Sequence, residues 1–410
     1  MRLVVLAPHF RPDTAPTGAV ITRIVDELAG RGHHIDVVTA LPWYRGHVVE
    51  PGWTGRWSRT EPAPWGSVRR VQPFSGGDRR NLLRRAAGFA GFSALAGWAG
   101  LGAGGWFRRA DAVIAMSPPL TLGLTGRIVA WTHRAPLVFN VQDVFPDAAV
   151  ETGAITNRAV ITAARALERL TYRLSDAVTV LSDDLRANVV TKVPVRRAGT
   201  VHTISNFVDT ATIRPGDRMT AYRAELGIGA EPVVLYAGNI GYSQSLELLV
   251  DAARRLPDVT FLVNGDGSAR GDLERAASGV PNVRFAGFLP ADRLPELLAT
   301  GDVHVVALRA GLGAVSVPSK TYSILAAGRP VVASIDAGTE VPRLIAASGA
   351  GVTVPPDDAD TFTDALRTLL AEPAQAAAMG ARGRAWVEQA AAPAAVADRY
   401  EELVRSLGGG

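Results

Sequence analysis

Short apolar runs and helical stripes alternate along the first half of the chain. Leu3–Ala7 is apolar throughout, as suits a strand buried in a parallel sheet. A loop rich in Pro, Gly and Thr follows, from Pro8 to Gly18. Ala19–Arg31 places Ile21, Ile24, Val25 and Leu28 on one helical face, and Gly32 stands where helices commonly end. Ile35–Thr39, Ala112–Ala115, Leu137–Asn140, Ala177–Leu181 and Thr200–Ile204 predict further strands, with helices between them, notably Ala159–Leu174. The second half repeats the pattern. Val233–Tyr236, Thr260–Val263, Val283–Phe285, Val303–Ala307, Val331–Ser334 and Gly351–Val354 predict strands. Leu246–Arg255, Asp272–Ala277, Ala291–Leu298, Ser319–Ala327, Glu340–Ala347 and Ala359–Leu370 predict helices. Strands that alternate with helices pair in parallel and form open α/β sheets. The join between the halves is expected at 208–217, and Ala374–Leu407 reads as an Ala-rich helical tail.

Composition narrows the picture. At 410 residues, two domains are the natural expectation, and 47% hydrophobic with 20% charged residues is ordinary for a chain with a real core. There are no cysteines, which excludes disulfides, thiolate metal sites and a cysteine nucleophile. The N-terminus is an early strand without the signature of a signal peptide, so a cytoplasmic protein is expected. A net charge of +4 without long basic tracts argues against nucleic acid. Only Lys192 and Lys320 are lysines among 43 cationic residues, which singles each of them out.

Ala86–Phe107 carries no charge and is flanked by Arg79, Arg80, Arg84 and Arg85 on one side and by Arg108 and Arg109 on the other. Its richness in Gly and Ala makes it a poor membrane span. Two readings stay open: a buried helix and loop of the first domain, or a surface helix resting on an anionic membrane.

Ligands of open α/β sheets bind outside the carboxyl ends of the strands, so the segments after each strand are the candidates. Gly238, Asn239, Gly241 and Gln244 follow Val233–Tyr236, where glycines admit a ligand close to backbone and the amides add neutral donors. Gly265 opens a Gly-Asp-Gly turn after the next strand, and Phe288 with Leu289 could face a base edge or simply belong to the core. The richest segment is Val317–Ala333. Pro318 and Ser319 open a helix that Ser319 is expected to cap, Lys320 stands in its first turn and Ser323 one turn on. A cation there opposes the helix dipole, and a bound diphosphate reverses that penalty. Glu340 starts the helix after Val331–Ser334, as a cap or as a sugar contact. In the first half, His9, Thr17 and Gly18, Ser117, and Asp143 follow successive strands. A carboxylate such as Asp143 could accept a hydroxyl proton or bind sugar hydroxyls.

Taken in order and spacing, these segments resemble glycosyltransferase family 4, the retaining transferases of the GT-B fold. They are most similar to the bacterial polysaccharide branch that includes colanic acid and fucosamine-type transferases. The resemblance rests on Pro8–Gly18, Gln142–Pro146, Ser205–Asp209, Gly238–Gln244, Gly265–Gly267 and Pro318–Pro330. It implies an α/β architecture of two Rossmann-like domains facing each other across a cleft. Residues 1–208 would form the acceptor domain, with a helix in 386–410 packing back on it, and 209–385 the donor domain. It also implies retaining transfer from a nucleotide sugar to a lipid-linked or small-molecule acceptor, in polysaccharide, glycoconjugate or natural-product synthesis. No cofactor and no metal is expected, and the place of work is the cytoplasm or the inner face of the membrane. Lys320, Asp143 and His9 are the expected catalytic residues. The chain departs from the family at two glutamate positions, which hold Val315 and Ser323, and at an Arg and a Lys position, which hold Asn239 and Gln244. Charge facing a diphosphate must therefore come from elsewhere, with Lys320 as the candidate. A sugar-nucleotide epimerase of the same fold and a non-catalytic nucleotide-sugar binder are the alternatives. The dehydrogenase fingerprint, G-x-G-x-x-G after a first strand with a following acid, is missing from both halves.

Overall fold

The computed structural model describes residues 1–74, 82–151, 153 and 155–408. The chain divides into two compact units, Met1–Ser205 with Pro393–Gly410, and Asn206–Ala392.

The first unit is built on an eight-stranded sheet. Its strands are β1 (Arg2–Leu6), β2 (His34–Ala40), β3 (Ser58–Ala63), β4 (Gly66–Val71), β5 (Ala112–Met116), β6 (Leu137–Asn140), β7 (Ala177–Val180) and β8 (Val201–Thr203). They run in the order β3-β4-β2-β1-β5-β6-β7-β8. All pairs are parallel except β3–β4. That hairpin is not visible in the hydrophobic pattern, because most of β3 faces solvent and shows no apolar alternation. The helix Pro16–Gly30 buries Ile21, Ile24, Val25 and Leu28, the stripe expected from their spacing. Asn157 caps Arg158–Leu174 by accepting from the N–H groups of Ala159 and Val160.

The expected single tail is two helices, Pro373–Ala390 and Pro393–Gly408, broken where Pro393 removes a backbone donor. The second belongs to the first unit. It buries Val396, Ala397, Tyr400, Leu403 and Val404 and is tied to the end of Pro16–Gly30 through Arg31, which reaches Asp398 at 2.6 Å and Glu401 at 3.2 Å.

The second unit holds a fully parallel six-stranded sheet. Its strands are β9 (Val233–Ala237), β10 (Thr260–Asn264), β11 (Val283–Ala286), β12 (Val303–Ala307), β13 (Val331–Ser334) and β14 (Gly351–Val354), ordered β11-β10-β9-β12-β13-β14. Alternate residues of β9 feed opposite faces: Val234 and Tyr236 join the larger core with Phe261 and Phe362, and Val233 and Leu235 the smaller one with Leu262 and Leu297.

Chain order reverses between β1 and β5 in one sheet and between β9 and β12 in the other. Such reversals open a crevice at the carboxyl ends of the strands, where ligands of this architecture bind.

Arg79 and Arg80 lie outside the described residues. The apolar stretch beside them forms the helix Leu82–Leu101, and among the described residues no helix is long and apolar enough to cross a membrane.

Candidate functional site

Register decides what meets at the reversal point of the second sheet. Tyr236 pairs with Val263 and Ala237 with Asn264, so the loops starting at Gly238 and Gly265 leave the sheet side by side. They are laced by backbone bonds from Gly238 N–H to Asn264 O (2.9 Å) and from Ile240 N–H to Asp266 O (2.9 Å). A Cβ on Gly265 would lie 1.8 Å from the Gly238 carbonyl oxygen, so only glycine permits this approach.

Lys320 enters from the other side, at the start of the helix Lys320–Ala326. Its ammonium lies 3.6 Å from the centroid of the Tyr236 ring, and a Cβ on Gly238 would stand 3.1 Å from Nζ. The ring face attracts the cation, but Nζ has no hydrogen-bond acceptor and no carboxylate partner among the described residues. The residue as a whole is half-buried, yet its charged end sits on the enclosed side, and desolvation pushes its pKa down to about 7. Lys192 shows the alternative: its ammonium is held by Asp147 at 2.6 Å and Glu168 at 2.7 Å. An enclosed cation without a counter-ion, beside glycine backbone at a sheet reversal, has the chemistry to receive an anion.

The remaining donor-side candidates divide. Gln244 is spent inside its own loop, accepting from the Gly241 N–H (3.0 Å) and donating to Ser243 Oγ (2.8 Å), while Asn239 is exposed above it. Ser323 follows Lys320 by one helical turn, and both are half-buried. Ser319 does not cap: it adopts helical angles itself (φ −60°, ψ −21°) and makes no side-chain cap bond, because a capping side chain needs an extended backbone to reach forward. Phe288 is 50% exposed after β11, so the core reading fails for it and holds for Leu289, which packs against the smaller core. Glu340 sits beyond β13 with its carboxylate 3.1 Å from Arg343. Asp336, at the start of the segment that leads to Glu340, pins the loop before Lys320 by accepting from the N–H groups of Gly311 and Gly313, each at 3.0 Å.

In the first unit, His9, Ser117 and Asp143 stand at the carboxyl ends of the adjacent strands β1, β5 and β6. His9 Nδ1 is 2.7 Å from a carboxylate oxygen of the buried Asp13, and its ring stacks on Trp43 at 5.2 Å. Asp13 fixes the ring's orientation and leaves Nε2 as the free edge. Gly18 lets Pro16–Gly30 come this close, since a Cβ there would lie 2.9 Å from the His9 Cβ; Thr17 beside it is half-buried. Asp13 was missed in the sequence; its i+4 spacing from His9 within one loop was the available signal. Ser117 is fully buried and its Oγ finds no hydrogen-bond partner. Asp143 is exposed beside Gln142, whose amide donates to Asn140 Oδ1 at 2.5 Å. Asn140 in turn donates to Thr179 Oγ1 (3.0 Å) and to the Tyr400 hydroxyl (2.8 Å). Tyr400 thus ties the C-terminal helix to the wall that carries Asp143, a contact of long sequence separation that no local pattern announces.

Among the described residues, no group of three or more His, Asp or Glu could hold a metal ion.

Residues 17–206 match the family model described as "Glycosyl transferase 4-like domain" and 231–372 the one described as "Glycosyl transferases group 1". The chain is 28% identical over 385 residues to a putative colanic acid biosynthesis glycosyl transferase of Escherichia coli K12, covering 91% of this chain and 93% of that protein. It is 33% identical over 190 residues to a GDP-mannose-dependent alpha-(1-6)-phosphatidylinositol monomannoside mannosyltransferase of Mycolicibacterium smegmatis, covering 44% of this chain and 49% of that one. Among solved structures, HepE of Anabaena in complex with UDP-glucose superposes with a TM-score of 0.71 at 17% identity, covering 99% of this chain and 100% of that chain. That likeness fixes the fold as GT-B.

Proposed function

The chain belongs to the group 1, family 4-type glycosyltransferases, which move sugar from a nucleotide-sugar donor into polysaccharides and glycoconjugates, and we propose that Lys320 binds the departing diphosphate in that transfer. The observation that carries the assignment is the unpaired, enclosed ammonium beside Gly238.

In the proposed reaction the anomeric carbon breaks its bond to the diphosphate oxygen and forms one to the acceptor oxygen. The acceptor's proton passes to the leaving phosphate. Negative charge grows on the leaving oxygens in the transition state, and a fixed cation that meets it there accelerates the step. Lys320 fills that role without a metal ion; in the loop beside it, the N–H groups of Gly238, Ile240 and Gly241 are already spent on Asn264, Asp266 and Gln244. In the first unit, His9 held by Asp13, together with Asp143, orients the acceptor hydroxyl. Attack from the leaving-group face gives retention, which NMR of the product's anomeric proton tests.

Two acceptor classes fit the family, a lipid-linked sugar and a small molecule. A relative whose name states a phosphatidylinositol mannoside acceptor supports the first. The reading places the reaction in the cytoplasm, at the inner face of the membrane when the acceptor is lipid-linked.

The test is a thermal-shift screen against UDP, GDP, CDP and dTDP and their sugar conjugates. A ligand bound only by the folded state raises the melting temperature by mass action. One nucleotide family is expected to stabilise the wild type, and to lose most of that effect in Lys320→Ala. No shift with any nucleotide in folded protein removes the donor site from the second unit. A shift unchanged by Lys320→Ala removes Lys320 from it. Turnover in EDTA equal to that in magnesium is the expected sign of a metal-free reaction.

A further inference from the structure

A surface helix normally buries its large apolar side chains and exposes small or polar ones. The helix Leu82–Leu101 follows this rule at Phe92, which is buried, and breaks it at Trp98. Its small residues face the neighbouring helix Thr121–Thr132: a Cβ on Gly97 would meet Thr125 Cγ2 at 2.7 Å, and one on Gly100 would meet Val129 Cγ2 at 2.8 Å. Trp98 points outward and is 70% exposed. In the loop beyond the helix, Trp106 and Phe107 are 58% and 71% exposed. Trp106 joins the other two rings, with centroids 6.2 Å apart for Trp98–Trp106 and 6.3 Å for Trp106–Phe107. On the neighbouring helix Trp131 is 65% exposed. The buried His133 ring, 2.7 Å from the Arg108 carbonyl and 2.9 Å from the Gly100 carbonyl, fastens that helix end to this loop. The patch is therefore held in place by its frame, and its aromatic rings are uncovered.

Charge says what covers it. Between Asp78 and Asp143 the sequence holds eight arginines and a single acid, Asp111. Asp111 is engaged in accepting from the Arg2 backbone N–H at 2.6 Å. Arg108, Arg109 and Arg134 are exposed and have no ion-pair partner among the described residues. A second copy of the chain would bring these cations against themselves. An anionic bilayer neutralises them, and indole rings favour the zone between lipid headgroups and acyl chains.

We propose that this face of the first unit docks on an anionic lipid surface, with Trp98, Trp106 and Phe107 inserted at headgroup depth and Arg108 and Arg109 on lipid phosphates. No described helix is long and apolar enough to span, so the chain lies on the bilayer and does not cross it. The inference stands on this patch alone and does not depend on the transferase chemistry.

The experiment is co-sedimentation of the full chain with vesicles of phosphatidylglycerol and phosphatidylcholine in equal parts, against phosphatidylcholine alone. Wild type is expected to bind the mixed vesicles at least about tenfold more tightly, with the advantage shrinking as salt rises. Arg108→Gln with Arg109→Gln is expected to weaken binding roughly fivefold per charge. Trp98→Ser with Trp106→Ser is expected to remove most of it with the melting temperature unchanged, since both side chains are exposed. Each variant should keep the nucleotide-induced thermal shift of the wild type. Equal binding to both vesicles, no binding to either, or variants that bind like wild type overturn the proposal. So does a dimer of the wild type in light scattering that Trp98→Ser converts to a monomer, because the patch is then a protein interface.

Discussion

The carboxyl edges of the two sheets solve opposite electrostatic problems. In the first unit the named polar groups of the strand ends are largely matched internally: His9 with Asp13, and Asn140 with Gln142, Thr179 and Tyr400. In the second, glycines let the loops at Gly238 and Gly265 pack backbone to backbone, and the one lysine there has no counter-charge. A matched edge presents oriented, neutral hydrogen-bonding groups and suits an acceptor hydroxyl. An unmatched cation is costly until an anion arrives and suits a diphosphate. The chain's two lysines make the same point, since Lys192 is neutralised by two carboxylates and Lys320 by none.

The comparison breaks first at Lys320. Lys320→Ala is expected to lower kcat by roughly 10²–10³, the usual cost of removing one fixed donor to developing charge. Lys320→Arg should fail to rescue it, because a longer, planar guanidinium does not replace the compact ammonium seated 3.6 Å from the Tyr236 ring centroid. Steady-state kinetics with saturating donor reads both, and a residual rate within a few-fold of wild type would sink the leaving-group role.

Asp13→Asn comes next. It keeps the shape around His9 but removes the carboxylate that orients the ring, and a fall in kcat of about 10–10² with donor affinity unchanged is expected. A change confined to donor affinity would place His9 on the wrong side of the reaction.

The third effect is a pH dependence. Desolvation holds the Lys320 pKa near 7 in the free protein, and a bound diphosphate raises it. Nucleotide binding above pH 7 therefore takes up a proton, and affinity falls by up to about tenfold per pH unit until the bound-state pKa is reached. Calorimetry in buffers of different ionisation heat measures the uptake, which Lys320→Met should abolish. The ligand-free protein shows the converse. Below pH 7 the enclosed charge destabilises the fold, and the unfolded lysine holds its proton up to its ordinary value of 10.5. Stability attributable to this group thus rises between the two values, a trend missing from Lys320→Met.

The smallest effect is at Tyr400. Tyr400→Phe removes a hydroxyl 2.8 Å from Asn140 and is expected to cost about 1 kcal/mol of stability by denaturant titration, with a few-fold loss of transfer. Donor-induced thermal shifts should not move. If they do, the two edges are coupled more tightly than their separate networks indicate.

Much of this was legible in the chain. The stripe Ile21, Ile24, Val25, Leu28 and the run Leu3–Ala7 carry their structure in their spacing. Gly238, Gly265 and Lys320 were legible as candidates from a glycine after each strand and a rare lysine at a helix start, and the structure brings them together. The β3–β4 hairpin was not, since an edge strand with two wet faces has no pattern to read. Ser319 was misread because capping depends on a backbone angle that the residue type does not fix.

The sequence by itself determined which residues are apolar, where strands and helices alternate, and which few positions carry uncommon chemistry. Only the tertiary structure decided that Lys320 has no partner while Lys192 has two, that Asp13 holds His9, and that Tyr400 returns from the far end of the chain to Asn140. It alone turned Trp98 outward. The reason is physical: periodicity is a property of neighbours along the chain, whereas pairing, desolvation and exposure are set by neighbours in space.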